Sequence, residues 1–216
     1  MRQVICSDTT EWLKTIPELD SVITSLPDKE ETDMSFGAWK AWFINTVYEI
    51  LTKTKNYAIF YQTDRKVNGE VLSKARLLFN AANKAVMPLR WHKIVLRRDA
   101  GKIDLFRPTY THLICFSKAL KSGKATPDVF ERGEMTYPNA MGTTACEVAC
   151  QFIKDNSDTK VIYDPFCGQG SVLAMAERFG FDAVGVEILP EQCDKARKLA
   201  VNSGSVNNEV VPSSLQ

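Results

Sequence analysis

Val161-Ile162-Tyr163-Asp164-Pro165-Phe166-Cys167-Gly168-Gln169-Gly170-Ser171 is the stretch from which the fold can be read. Its first residues are β-branched and aromatic and predict a strand ending at Asp164. Two glycines follow in a tight turn, and apolar periodicity predicts a helix over residues 171–179. Glycine lets the backbone take positive φ and approach a ligand closely. The first turn of a helix presents N–H groups that have no partner inside the helix. Strand, glycine turn and helix in that order predict a ligand site at the carboxyl ends of parallel strands.

Two ligands suit such a turn. A dinucleotide would set its pyrophosphate there, and its fingerprint has a third glycine three residues on. That position is Leu173, and Asp164 would hold a carboxylate against the anion. S-adenosyl-L-methionine has no phosphate and carries an ammonium group that a carboxylate satisfies, so the acid favours the methyl donor. Glu187 ends the next apolar run, 23 positions after Asp164. It is placed to grip two ribose hydroxyls. The alternative for both acids is strand-end capping in solvent.

Working outward, residues 3–7 and 21–25 read as strands flanking an amphipathic helix over 10–16. Residues 36–53 form a helix with Trp39, Trp42, Phe43, Val47, Ile50 and Leu51 on one face. Residues 57–62 read as a buried strand and 71–86 as a helix. The strands 90–96 and 111–116 have no helix between them and should pair antiparallel. A polar excursion over 117–142 leads into a helix at 144–154. The strand 160–163, the helix 171–179, the strand 182–188 and the helix 190–201 complete the pattern. Seven strands with helical crossovers predict an α/β, Rossmann-like, mostly parallel sheet with helices on both faces. One domain over 1–201 is expected, followed by a flexible Ser/Asn-rich tail, 202–216.

The composition excludes several classes. With 44% hydrophobic and 25% charged residues, the 216-residue chain is ordinary globular protein. No apolar run of about 18 residues predicts a membrane span, and Met1-Arg2-Gln3-Val4 passes into an apolar stretch without the pattern of a secretory leader, so secretion is not expected. Six cysteines without a Cys-x-x-Cys pair, and only two histidines, predict no metal site and a reducing compartment, cytoplasmic or nuclear. A net charge of +1 leaves any nucleic-acid surface to local patches.

Asp164-Pro165-Phe166-Cys167-Gly168-Gln169-Gly170-Ser171 resembles the Asp-Pro-Phe-x-Gly-x-Gly-[Ser/Thr] motif of the DNA amino-methyltransferases that modify N6 of adenine or N4 of cytosine. Gly185-Val186-Glu187-Ile188 followed by Pro190 resembles their second motif, and Cys6-Ser7-Asp8 with Trp12-Leu13 their third. Trp91-His92-Lys93 is similar to a strand common in the group. The resemblance covers roughly residues 3–200. It implies a seven-stranded methyltransferase fold in circularly permuted order, with the donor-binding half last. It also implies S-adenosyl-L-methionine as cofactor. Asp164, Pro165, Phe166, Gly168, Gly170, Ser171 and Glu187 would form the donor site. Asp8 would meet the donor's adenine amino group, and Thr143 and Thr144 its methionine carboxylate.

The catalytic turn of that family is [Asp/Asn/Ser]-Pro-Pro-[Tyr/Phe/Trp], and here it reads Ser25-Leu26-Pro27-Asp28. By resemblance, the Ser25 side chain and the Leu26 carbonyl would accept hydrogen bonds from the target amine. Asp28 cannot stack on a base as the family's aromatic residue does. It would act as a base, hold a substrate cation, or cap the acidic segment that follows. Arg97, Arg98, Lys102 and Arg107 fall in the loop between the two antiparallel strands, at the ligand-binding edge, where they could contact phosphates. Lys118, Lys121, Lys124 and Arg132 add positive charge to the excursion. The expected activity is methyl transfer to an adenine or cytosine amine in DNA, with RNA as an alternative polymer. A small-molecule or protein acceptor, or a non-catalytic subunit, are the competing readings. A homodimer or partner subunit is compatible with each.

Overall fold

The computed structural model describes residues 1–67, 69–105, 107–119 and 125–201. The expected tail 202–216, with Lys121 and Lys124, lies outside the described residues. Strand and helix alternate: β1 (Arg2–Cys6), α1 (Thr9–Thr15), β2 (Ser21–Thr24), α2 (Phe36–Lys53), β3 (Ala58–Gln62), β4 (Arg65–Val67), β5 (Glu70–Leu72), α3 (Lys74–Lys84), β6 (Leu89–Leu96), β7 (Tyr110–Phe116), β8 (Val129–Glu131), α4 (Thr143–Asn156), β9 (Val161–Asp164), α5 (Ser171–Arg178), β10 (Asp182–Glu187) and α6 (Pro190–Lys198).

The main sheet has the order β1-β10-β9-β2-β3-β7-β6-β8. Strands β1, β10, β9, β2 and β3 are mutually parallel, so the last two strands in sequence, β9 and β10, lie between β1 and β2. Strand β7 runs antiparallel to both β3 and β6, as the missing helix between β6 and β7 predicts. Strand β6 is therefore parallel to β3, and the loop after it emerges at the edge where the glycine turn lies.

Single-residue alternation divides the core into two layers. Val22, Phe60, Ile114 and Phe116 face a layer built with Trp12 of α1, Trp39 and Phe43 of α2, and Leu78 of α3. Ile23, Ile59, Leu113 and Cys115 face the other layer, with Ala149 and Ile153 of α4, Leu173 of α5 and Ala196 of α6. Because both faces are covered, the central strands read as unbroken apolar runs.

The sequence expectation is corrected in two places. The sheet has eight strands rather than seven. Strand β8, inside the polar excursion, pairs parallel to β6 from Ile94↔Val129 to Leu96↔Glu131. Three residues are too few for a periodic signal, and β8 exists because β6 offers it an edge. Lys93 ties its lead-in down by donating to the Asp128 carboxylate and the Thr126 carbonyl, each at 2.8 Å. The helix expected over 71–86 begins instead at Lys74. Val71 and Leu72 belong to a small hairpin of β4 and β5. Ser73 caps the helix by accepting from Arg76 N–H, and the Asp64 carboxylate accepts from Lys74 N–H at 2.7 Å. These acceptors satisfy the helix-end donors at that point, so the helix starts there.

Candidate active site

The glycine turn is held by one side-chain acceptor and two backbone bonds. Asp164 Oδ1 accepts from Phe166 N–H at 3.2 Å, Cys167 N–H donates to the Val186 carbonyl at 2.9 Å, and Gly170 N–H returns to the Cys167 carbonyl at 2.8 Å. Gly168 and Gly170 have φ of 50° and 88°, a region that side chains avoid. Each also permits a close approach. A Cβ on Gly168 would sit 2.5 Å from the Tyr137 hydroxyl, and one on Gly170 would sit 3.0 Å from the Ala196 backbone.

An open cleft of about 690 Å³ lies over this turn at the carboxyl ends of β1, β10, β9 and β2. Of the residues the sequence singled out, Asp8, Ser25, Leu26, Pro27, Asp164, Phe166, Gly168, Ser171 and Glu187 line it. Residues from the two ends of the chain thus share one cavity. Its aromatic wall includes Trp42 of α2, which meets Phe166 edge-on at 5.8 Å. Trp39 of the same helix is fully buried and donates from its indole to the Pro27 carbonyl at 3.3 Å.

The acids differ in environment. Asp164 is 3% exposed and takes both of its hydrogen bonds on Oδ1, from Phe166 N–H and from the Thr24 hydroxyl at 2.7 Å. Oδ2 has no hydrogen-bond partner among the described residues. Burial, with the Glu187 charge adding to it, pushes the Asp164 carboxyl up to about 7. Such a group gains from a nearby cation. Burial alone would also raise Asp8, but hydrogen bonds from the Thr10 hydroxyl and from the Glu11 and Thr10 N–H groups hold it below the ordinary carboxylate range. Asp8 is the N-cap of α1, so its capping role is structural as well. Glu187 accepts from Leu189 N–H through Oε1 at 2.9 Å.

Other expected residues lie elsewhere. Thr143 and Thr144 do not line the cleft. They pack at the start of α4 against Gly133, and Thr143 N–H donates to the Glu134 carbonyl at 2.8 Å. The wall expected of them is built by Tyr137, Asn139 and Met141, because the chain from β8 to α4 folds across the glycine turn. Burial raises the Tyr137 hydroxyl, and Thr136 and Ser171 share a hydroxyl–hydroxyl bond at 2.5 Å. Pro165 is set aside by its carbonyl, which accepts from the Thr9 hydroxyl, and Gly170 by its contact with α6.

Asp28 turns away from the cleft. It pairs with Lys74, which is almost fully buried, and with Arg65 at 3.4 Å, while its N–H donates to the Glu31 carboxylate at 2.7 Å. The acidic segment is thereby fixed as a short 3-10 turn (Lys29–Glu31), with Asp28 and Glu30 in ion pairs. The Asp28 carboxylate is thus engaged by two cations outside the cleft. Of the four basic loop residues, Arg97 and Arg107 line a second, smaller pocket beside Ser25, while Arg98 and Lys102 are exposed on the loop.

Sequence reasoning missed Gln62. It is buried at the end of β3 and donates from Nε2 to the Leu26 carbonyl at 3.3 Å. Its only signal was a polar residue closing an apolar strand. Thr24 carried no signal beyond its adjacency to Ser25.

Among solved structures, the chain is similar to the cytosine-N4-specific PvuII DNA methyltransferase, with a TM-score of 0.75, 15% identity, and coverage of 94% of this chain and 88% of that one. It is also similar to a candidate DNA modification methylase of Thermus thermophilus, TTHA0409. There the TM-score is 0.73 at 16% identity, covering 92% and 94% of the two chains. The structure of TTHA0409 complexed with S-adenosyl-L-methionine matches with a TM-score of 0.68 at 17% identity, covering 91% and 93%. The fold is that of these methyltransferases. No family model and no curated protein matches the sequence.

Proposed function

We propose that the chain is a single-domain S-adenosyl-L-methionine-dependent methyltransferase, built in permuted order over residues 1–201. Its acceptor is the exocyclic amine of adenine or cytosine, in DNA before RNA. The observation that carries this reading is the buried Asp164 carboxylate. It has one oxygen unpartnered among the described residues, and it stands in a cleft that also contains Glu187, Asp8 and the Ser25–Leu26–Pro27 turn. A raised, partly unmatched acid fits an ammonium-bearing ligand and disfavours a phosphate.

In this reading Asp164 binds the amino-acid end of the donor, Glu187 accepts from the ribose hydroxyls, and Asp8 meets the adenine. Phe166 and Trp42 give the cleft an apolar, ring-binding wall. The donor supplies an electrophilic methyl group. Ser25 and the Leu26 carbonyl accept from the target N–H groups, which turns the nitrogen lone pair toward that methyl. Gln62 and Trp39 orient the turn, by bonding to the Leu26 and Pro27 carbonyls. Rate then comes from positioning and from fixed acceptors rather than from a strong base. Asp28 is a structural anchor, and the proton lost by the methylated amine would pass to solvent in the open cleft.

Calorimetry with the donor on the wild type, Asp164→Ala and Glu187→Ala tests the cofactor. Transfer of labelled methyl groups to DNA, RNA or free nucleotides tests the acceptor. Absence of donor binding by the wild type would overturn the reading.

A further inference from the structure

A second pocket of about 240 Å³ opens on the other side of the catalytic turn, sharing Ser25, Leu26, Glu31 and Asn139 with the donor cleft. Its two walls have opposite electrostatic character. On one, Asp28 pairs with Lys74 and Arg65, and Glu30 with Arg65 at 3.2 Å, while Glu31 has no ion pair among the described residues and accepts from Asp28 N–H at 2.7 Å. On the other stand three guanidinium groups, Arg97, Arg107 and Arg132, none of them in an ion pair among the described residues.

The fold brings these three together. The parallel register Leu96↔Glu131 sets Arg97 and Arg132 at the same end of neighbouring strands, and Arg132 N–H donates to the Leu96 carbonyl at 3.1 Å. Arg107 enters from the β6–β7 loop, where Arg97 N–H donates to the Thr109 carbonyl at 2.8 Å and its guanidinium to the Pro108 carbonyl at 3.0 Å. Asp104 is the nearby acid on that loop and accepts from Arg107 N–H at 3.1 Å. Burial first, then the charge of Arg107, disfavours the charged form of Arg97; Tyr61 opposes this, and Arg132 and Asp104 follow with smaller effects of opposite sign. Three half-buried like charges repel one another, and with five basic side chains (Arg65, Lys74, Arg97, Arg107, Arg132) against three acids (Asp28, Glu30, Glu31) the pocket keeps an excess of positive charge that a bound anion would offset. Planar guanidinium forks match the oxygens of a phosphate in pairs.

We propose that this pocket holds the phosphate of the nucleotide acceptor, fixing the base so that its amine lies at Ser25 and Leu26. The proposal rests on the methyl-transfer reading of that turn and adds where the acceptor is held: by its phosphate, at Arg97, Arg107 and Arg132.

Adenosine and cytidine 5′-monophosphates, the corresponding nucleosides and inorganic phosphate are titrated into the full chain with donor present. The wild type is expected to bind a nucleotide at least tenfold more tightly than its nucleoside, with inorganic phosphate competing. Arg107→Gln with Arg132→Gln should weaken nucleotide binding tenfold or more, leaving donor affinity and circular dichroism unchanged. The single variant Arg132→Lys keeps the charge but loses the fork, and should lose part of that affinity. Equal binding of nucleotide and nucleoside, or nucleotide affinity unchanged in the double variant, overturns the proposal. So does absence of nucleotide binding by a chain that binds donor, and in that case the donor-site reading stands. A chain that binds no donor fails at the earlier step.

Discussion

Replacing Asp164 with asparagine should stabilise the unliganded protein above neutral pH while removing donor binding. In the unfolded chain an aspartate titrates near about 3.9, whereas burial raises Asp164 to about 7 in the fold. Between those values the native state binds more protons than the unfolded state, so the unfolding free energy falls as pH rises and the loss is complete above about 7. Three pH units at 1.36 kcal/mol each amount to about 4 kcal/mol. Asparagine keeps Oδ1, and with it the bonds from Thr24 and Phe166, and carries no charge to desolvate. Urea unfolding of wild type and variant at pH 4, 6 and 8 reads this group together with its coupling to Glu187, because titrations not coupled to Asp164 cancel in the difference. The variant should match the wild type near pH 4 and exceed it by up to about 4 kcal/mol at pH 8. Saturating donor should reverse the order at pH 8, since a ligand bound only by the wild type adds RT ln(1 + [L]/Kd). A difference between variant and wild type that is constant with pH would refute the reasoning.

The same linkage predicts that donor affinity weakens about tenfold per pH unit below about 7, as a proton displaces the cation at Asp164; titration calorimetry across pH 5–8 reads this directly. Glu187→Gln should cost about 1.5–3 kcal/mol of donor binding, the worth of a hydrogen bond to a charged acceptor, with little change in Tm. Gln62→Leu should lower the rate of methyl transfer about tenfold with donor affinity intact, since one hydrogen bond of about 1–1.5 kcal/mol would no longer orient the Leu26 carbonyl. Gly168→Ala should destabilise the fold by about 1–2 kcal/mol from its positive φ alone, and Tyr137→Phe, which removes the hydroxyl facing the new Cβ, should recover part of any further loss in denaturant unfolding.

What the sequence alone determined is the local grammar. Asp164, Gly168, Gly170 and Glu187 are spaced within one strand–turn–helix–strand unit, where backbone preferences and chain length leave one arrangement. The same locality made α2 and the strands β2, β3, β7 and β9 readable, since apolar period and burial coincide there. Only the tertiary structure decided what crosses the chain. Thr24 meets Asp164 across 140 residues of sequence, Tyr137 closes over a turn 31 residues later, and Asp28 finds Lys74 and Arg65 on a different part of the fold. Strand β8 exists only because β6 has an edge to offer, and that pairing sets Arg132 beside Arg97. A side chain's partner at such separation is chosen by sheet order and register, which the spacing of residues along the chain does not contain.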